Sequence, residues 1–332
     1  MKSLFLAGIT LLLSSPVLGQ SVEELQRRLA DKEAENEQLR QRVEILEREV
    51  TPRRIAQARP APVAADADDE EDSNRALERA LVRERGLLLS PGVHEIEPNF
   101  VYSHTNIASA AFRRDSFGPG LALRAGLPWR SQLELAVPYV FEQRRSGTVE
   151  TNASGFGDWS VGLSHQLLSE RSSVPGLIGT INYQAASGRN TIFESATPVA
   201  LGSGFASVQG ALTAVKRVDP LVFFGSYSFT HNFARDKNGI EVAPGNANSL
   251  RFGTIFATSP STSLRAAFNL TLFNKTKIGG IPRVGSDDPF GLFEFGGSGV
   301  LSESTALDVL VGAGVTRNAP KYRITVALPI RF

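Results

Sequence analysis

The chain has 332 residues, with 35 Lys and Arg against 34 Asp and Glu and a formal net charge of +1, so no charge excess marks it for nucleic acid or for an acidic partner. It contains no cysteine, which excludes disulfides, thiolate metal ligands, a cysteine nucleophile and lipid attachment at a mature N-terminal cysteine. Its four histidines, His94, His104, His165 and His231, show neither H-x-x-x-H nor H-x-H spacing, so no metal or other cofactor is expected.

The N-terminus reads as a secretory signal peptide over residues 1–19: Lys2, the apolar run LFLAGITLLL, then Val17 and Gly19 as small residues before an expected cleavage. No other apolar run approaches the ~18 residues of a spanning helix, so any membrane crossing falls to strands. Residues 20–50 carry a coiled-coil seam, with Val22, Leu29, Asn36, Val43 and Val50 at a and Leu25, Lys32, Leu39 and Leu46 at d. The g residues Arg28, Glu35 and Arg42 are each followed five positions on by an e residue of opposite sign, Glu33, Arg40 and Glu47, which suits a parallel in-register assembly. Asn36 weakens the seam but fixes its register. Val at a with Leu at d is a dimer preference, whereas Arg42, Val43, Leu46 and Glu47 in RVEILE resemble the trimerisation motif of short coiled coils; a homotrimer is favoured.

Residues 51–72, TPRRIAQARPAPVAADADDEED, form an extended linker with an acidic end. Residues 73–88 then read as a short amphipathic helix. Ser73 or Asn74 caps it, Leu77 and Leu81 stand one turn apart, Gly86 offers the stop, and Arg75, Arg79, Arg83 and Arg85 make the remainder basic. Such a helix, ~10 to 12 Å across, suits the bore of a mid-sized barrel as a plug; it also has the form of a helix lying at a membrane surface.

Residues 89–332 form the remaining domain, and from residue 94 onwards the period is two. Tyr322, Ile324, Val326, Leu328, Ile330 and Phe332 alternate with Arg323, Thr325 and Ala327, and the same pattern runs through Leu133 to Phe141, Trp159 to His165 and Leu264 to Leu272. Twelve segments of this kind begin near residues 94, 118, 131, 156, 175, 204, 221, 248, 262, 290, 304 and 321. Short connections such as LPWRS, RVDP, SPST and SEST alternate with longer polar ones at 106–116, 143–154, 188–203, 234–247 and 275–289. The fold class that follows is an all-β transmembrane barrel of twelve antiparallel strands in the bacterial outer membrane, with the coiled coil and helix in the periplasm. A soluble sandwich is disfavoured, because the apolar parity would have to enclose one core with far too many strands.

With the apolar parity on lipid, the lumen parity holds Glu95, Glu97, Arg124, Glu134, Asp158, Arg251, Arg265, Glu294, Asp308 and Arg323. Barrel closure is expected to bring Arg323 beside Glu95 and Glu97, and most of these charges to form a salt-bridge ladder. No histidine is followed two residues later by serine and no G-x-S-x-G occurs, so the chain is not expected to be an enzyme.

The stretch RALERALVRERGLLLSPGVHEIEPNFVYSH, residues 75–104, with the order of parts around it, resembles the outer-membrane secretion channel of the functional-amyloid (Fap) system. The resemblance implies a trimeric periplasmic coiled coil, a plug helix with Leu77 and Leu81 in it, a barrel in each subunit, unfolded amyloid subunits as passively exported cargo, and a periplasmic protease as partner. Phe332 resembles the terminal aromatic by which the barrel-assembly machinery recognises its clients. The barrel alone is also similar to porin-like proteins that carry aromatic compounds. That alternative, diffusion of small hydrophobic or aromatic solutes, predicts an apolar, aromatic-lined site in the lumen, and the inward parity shows few such residues.

Overall fold

The computed structural model describes residue 37 and residues 75–107, 112–193 and 199–332. The expected signal peptide, the linker and, apart from helical Glu37, the coiled coil with its seam residues lie outside the described residues.

One helix, α1 (Arg75–Arg83), precedes the strands β1 (His94–Ile107), β2 (Phe112–Leu127), β3 (Ser131–Ser146), β4 (Val149–Phe156), β5 (Ser160–Leu168), β6 (Gly176–Gln184), β7 (Ser207–Val218), β8 (Leu221–Asn232), β9 (Arg235–Lys237), β10 (Ile240–Ala243), β11 (Ala247–Ser259), β12 (Thr262–Phe273), β13 (Lys277–Ile278), β14 (Ile281–Pro282), β15 (Phe290–Val300), β16 (Ala306–Gly314), β17 (Tyr322–Ala327) and β18 (Ile330–Arg331). Every pairing is antiparallel, and β1 pairs with β17 and β18, so the main sheet closes on itself. β4 and β5 both pair with β3 and form one interrupted stave, as β17 and β18 do against β1, which gives a closed barrel of twelve staves.

Alternation sets the two faces. Leu121, Leu123, Leu133, Leu163, Phe252 and Leu264 are exposed on the outside, while Glu95, Glu97, Arg124, Arg265, Glu294 and Asp308 are buried within. A closed barrel satisfies its backbone hydrogen bonds internally, so this inside-out polarity is what a lipid exterior requires.

Two expected loops are strand instead. β2 starts at Phe112 rather than near 118, pairing Phe112 with Ile107, and the fourth stave starts at Val149 rather than near 156, pairing it with Ser146. Polar composition at 106–116 and 143–154 reads as loop, but the ladder needs only backbone groups. Outward side chains there pair with one another, Arg113 with Asp115 at 2.7 Å and Arg145 with Glu150 at 2.7 Å, as suits hairpins standing beyond an apolar belt. At the same end the connections around 235–243 and 277–282 build a separate four-stranded sheet, β14-β13-β10-β9.

Candidate functional site

The site is the barrel interior and the segment packed against it. Helix α1 ends in two chain-reversing bonds, Gly86 N–H to Leu81 O at 2.8 Å and Arg85 N–H to Val82 O at 3.0 Å, the pattern of a Schellman motif. Gly86, expected to supply the left-handed stop, does not: Arg85 takes the positive φ of 56°. Gly86 is needed for another reason, since a Cβ there would stand 2.5 Å from Val215 Cγ2. Segment 86–93 then leads back to the first stave. Leu89 N–H donates to Gln132 Oε1 at 2.9 Å, and Gly126 leaves no room for a Cβ beneath Ser90 O.

Leu81 is 1% exposed and belongs to a buried cluster with Ala80, Val215, Val222, Phe224, Ile255 and Ala267; Leu77 and Leu87 pack on its margin. The last five of those cluster residues come from β7, β8, β11 and β12, on the parity that faces inward. The lumen wall is therefore not polar throughout. The expectation of few inward apolar residues is corrected by the continuous apolar run Leu221–Phe224 and by Ile255–Phe256, which are apolar on both faces of their staves.

Charged contacts flank this patch. Arg79 donates to Glu303 O at 2.6 Å and Ser304 O at 3.2 Å in a short turn, and Glu78 meets Arg331 at 2.8 Å. These place the N-terminal end of α1 at the short-turn end of the barrel. At its other end Arg83 reaches Asp308 at 3.1 Å, and Arg85 reaches Glu134 at 2.8 Å. Glu84 accepts two bonds from Arg251, at 2.9 and 3.1 Å, and pairs with Arg265 at 2.7 Å. Burial alone would push the Glu84 carboxyl up; the Arg251 and Arg265 guanidiniums outweigh that and hold it below the ordinary carboxylate value.

The wall charges fall into two groups. Around β1–β3, Arg124 bridges Glu95 at 2.6 Å, Glu97 at 2.9 Å and Glu134 at 2.9 Å. Across the lumen Arg251 pairs with Glu294, and Ser298 donates to Asp308. Asp158 belongs to neither: it accepts from Gly188 N, Ser203 N, Ser203 Oγ and Gln184 Nε2, and so fastens the 188–203 connection to the wall.

Closure does not bring Arg323 beside Glu95 and Glu97. Arg323 stands opposite Ser103, and Arg331 stands opposite Glu95, which it meets at 2.9 Å. Antiparallel closure sets the start of β1 against β18, and Arg323 lies eight residues before Arg331. Arg331, Glu78, Glu84 and the wall side of the apolar cluster are not among the residues the sequence singles out; for Arg331 its inward parity between Ile330 and Phe332 is the available signal. Arg75 is the first residue of α1.

No family model matches the chain. Among solved structures it is similar to an outer membrane channel from Pseudomonas putida F1, with a TM-score of 0.64 and 16% identity over 74% of this chain and 97% of that one. The translocator domain of the autotransporter NalP from Neisseria meningitidis follows at 0.43, 6% identity, 78% and 98%. The KdgM porin gives 0.39, 11% identity, 71% and 99%. The first likeness bears on the fold, a closed barrel of the outer-membrane kind.

Proposed function

We propose that this chain is an outer-membrane channel held shut by its own helix α1, and that small solutes with an apolar part cross it when the helix withdraws. The observation that carries the reading is Leu81 seated on Val215, Val222, Phe224 and Ile255 inside the barrel. The filling of this part of the bore comes from a segment outside the staves, which supports closure by an element that can leave them. Withdrawal would bare an apolar strip along a polar lumen, which supports passage of an amphiphilic solute. The exposed apolar exterior supports an outer-membrane setting, and the charged heptads at 20–50 support a periplasmic coil joining three complete barrels.

Export of unfolded amyloid subunits is the second reading. It is supported by the likeness of residues 75–104 to the secretion channel and by the bore α1 would vacate, ~10 to 12 Å, against an extended chain of ~5 by ~10 Å. The same apolar strip would retard a polypeptide and so favours the solute.

Planar-bilayer recordings on the full chain and on a variant lacking residues 73–86 test the channel. A marked rise in conductance is expected on deletion; equal conductance would refute closure by the helix. Normal extracellular fibrils in a strain lacking the protein would remove the export reading, and loss of fibrils would restore it over the solute.

A further inference from the structure

Where the C-terminal end of α1 meets the lumen lies a cavity of about 450 Å³. This is within the ~300 to 1,000 Å³ of small-molecule sites. Its lining holds six arginines (83, 85, 124, 251, 265 and 323) and four glutamates (84, 97, 134 and 294), and Asp308 and Glu95, just outside it, pair with Arg83 and Arg124, so cations and acids balance. Most are accounted for. Arg85 and Arg124 meet Glu134, Arg124 also meets Glu97, Arg251 and Arg265 meet Glu84, Arg251 also meets Glu294, and Arg83 turns to Asp308.

Arg323 is the exception. Among the described residues no carboxylate lies within 4.0 Å of it, and its Nε is buried without a hydrogen-bond partner. Arg323 is half-buried, Glu294 is the acid whose charge reaches it from beyond 4.0 Å, and its planar fork is shaped for a carboxylate. Phe224 and Leu310 line the same cavity and give it an apolar side.

We propose that this cavity binds a small organic monoanion, its carboxylate on Arg323 and its short apolar chain against Phe224 and Leu310. The proposal rests on the channel reading for its purpose, naming the class of solute, but binding itself needs no withdrawal of the helix.

The test is calorimetric titration of the full chain in detergent micelles, at fixed ionic strength, with hexanoate, hexan-1-ol and inorganic phosphate. Hexanoate is expected to bind at least tenfold more tightly than either. Arg323→Gln is expected to weaken hexanoate at least tenfold and to leave hexanol unchanged, with heat-modifiable electrophoretic mobility checking that the barrel folds. Equal binding of hexanoate and hexanol overturns the anion site without recourse to any variant. Equal binding of phosphate and hexanoate overturns the apolar half, and undiminished binding by a folded Arg323→Gln overturns the assignment to Arg323. The channel reading is separately exposed: deletion of residues 73–86 without a rise in conductance removes it, while hexanoate binding through Arg323 in the intact chain stands.

Discussion

Leu81→Ala is the sharpest perturbation of the closed state. The side chain is 1% exposed and packs on a wall whose strands are held by their own ladders, so the wall cannot collapse into the space left behind. Leu-to-Ala changes in such settings cost ~2 to 5 kcal/mol. The ion pairs of Glu84, Arg83 and Arg85 do not set the scale, because buried pairs roughly break even against the hydration their members recover on release. Taking about 3 kcal/mol at about 1.4 kcal/mol per decade, the ratio of docked to withdrawn helix falls about 100-fold. Single-channel recording reads this directly as open probability. Leu121→Ala, on the outer face, removes the same atoms from an exposed position and is expected to leave gating alone. An open probability unchanged in a folded Leu81→Ala protein would refute apolar docking as the force that shuts the barrel.

Other outcomes follow from the same contacts. Docking holds the Glu84 carboxyl below its free value, so its contribution is complete above that free value and is lost as pH falls through the docked one; conductance should rise in acid, and Glu84→Gln should reduce that rise without abolishing it, since Asp308 and Glu134 also hold Arg83 and Arg85. Gly86→Ala, whose Cβ would press on Val215, should raise resting conductance in recordings at neutral pH. Arg331→Gln should lower the temperature at which heat-modifiable mobility is lost, because it strips Glu95 of its partner across the seam, while Arg323→Gln should lower it less. Deleting residues 22–50 should convert a trimer into monomers that still insert, as read by light scattering of the solubilised protein; monomers before deletion would refute the coil's role.

Alternation tells which face a side chain takes, and on that ground the twelve staves and the inward placement of Glu95, Glu97, Arg124 and Glu134 were legible. It does not tell which residue lies opposite, since many registers preserve the same faces, and so Arg323 was set where Arg331 belongs. The polar hairpin tips were missed because side-chain polarity was taken for the end of the ladder, which depends on backbone groups alone. The apolar strip was present as an unbroken Leu221–Phe224 but hidden by a rule that assigns apolar residues to lipid. The amphipathic pattern suggested a helix for the bore, but no single-chain pattern carries which wall residues, more than a hundred positions away, α1 meets.

In the proposed closure, the two kinds of contact made by α1 would divide the labour. Leu77 and Leu81 provide attraction but little direction, since an apolar stripe can slide or turn on an apolar strip. Direction comes from the charges. Glu84 faces Arg251 and Arg265 on one wall while its neighbour Arg85 faces Glu134 on the other. Rotating the helix by half a turn would set Glu84 against Glu134 and Arg85 against the arginines, like against like in a low-dielectric bore. Only one docked pose therefore satisfies both the strip and the walls. The staves owe it nothing: their hydrogen bonds run from stave to stave, so the helix can leave an intact barrel. On the proposed reading, a closed state with one pose and an open state that keeps its walls would be the two discrete arrangements that gating requires.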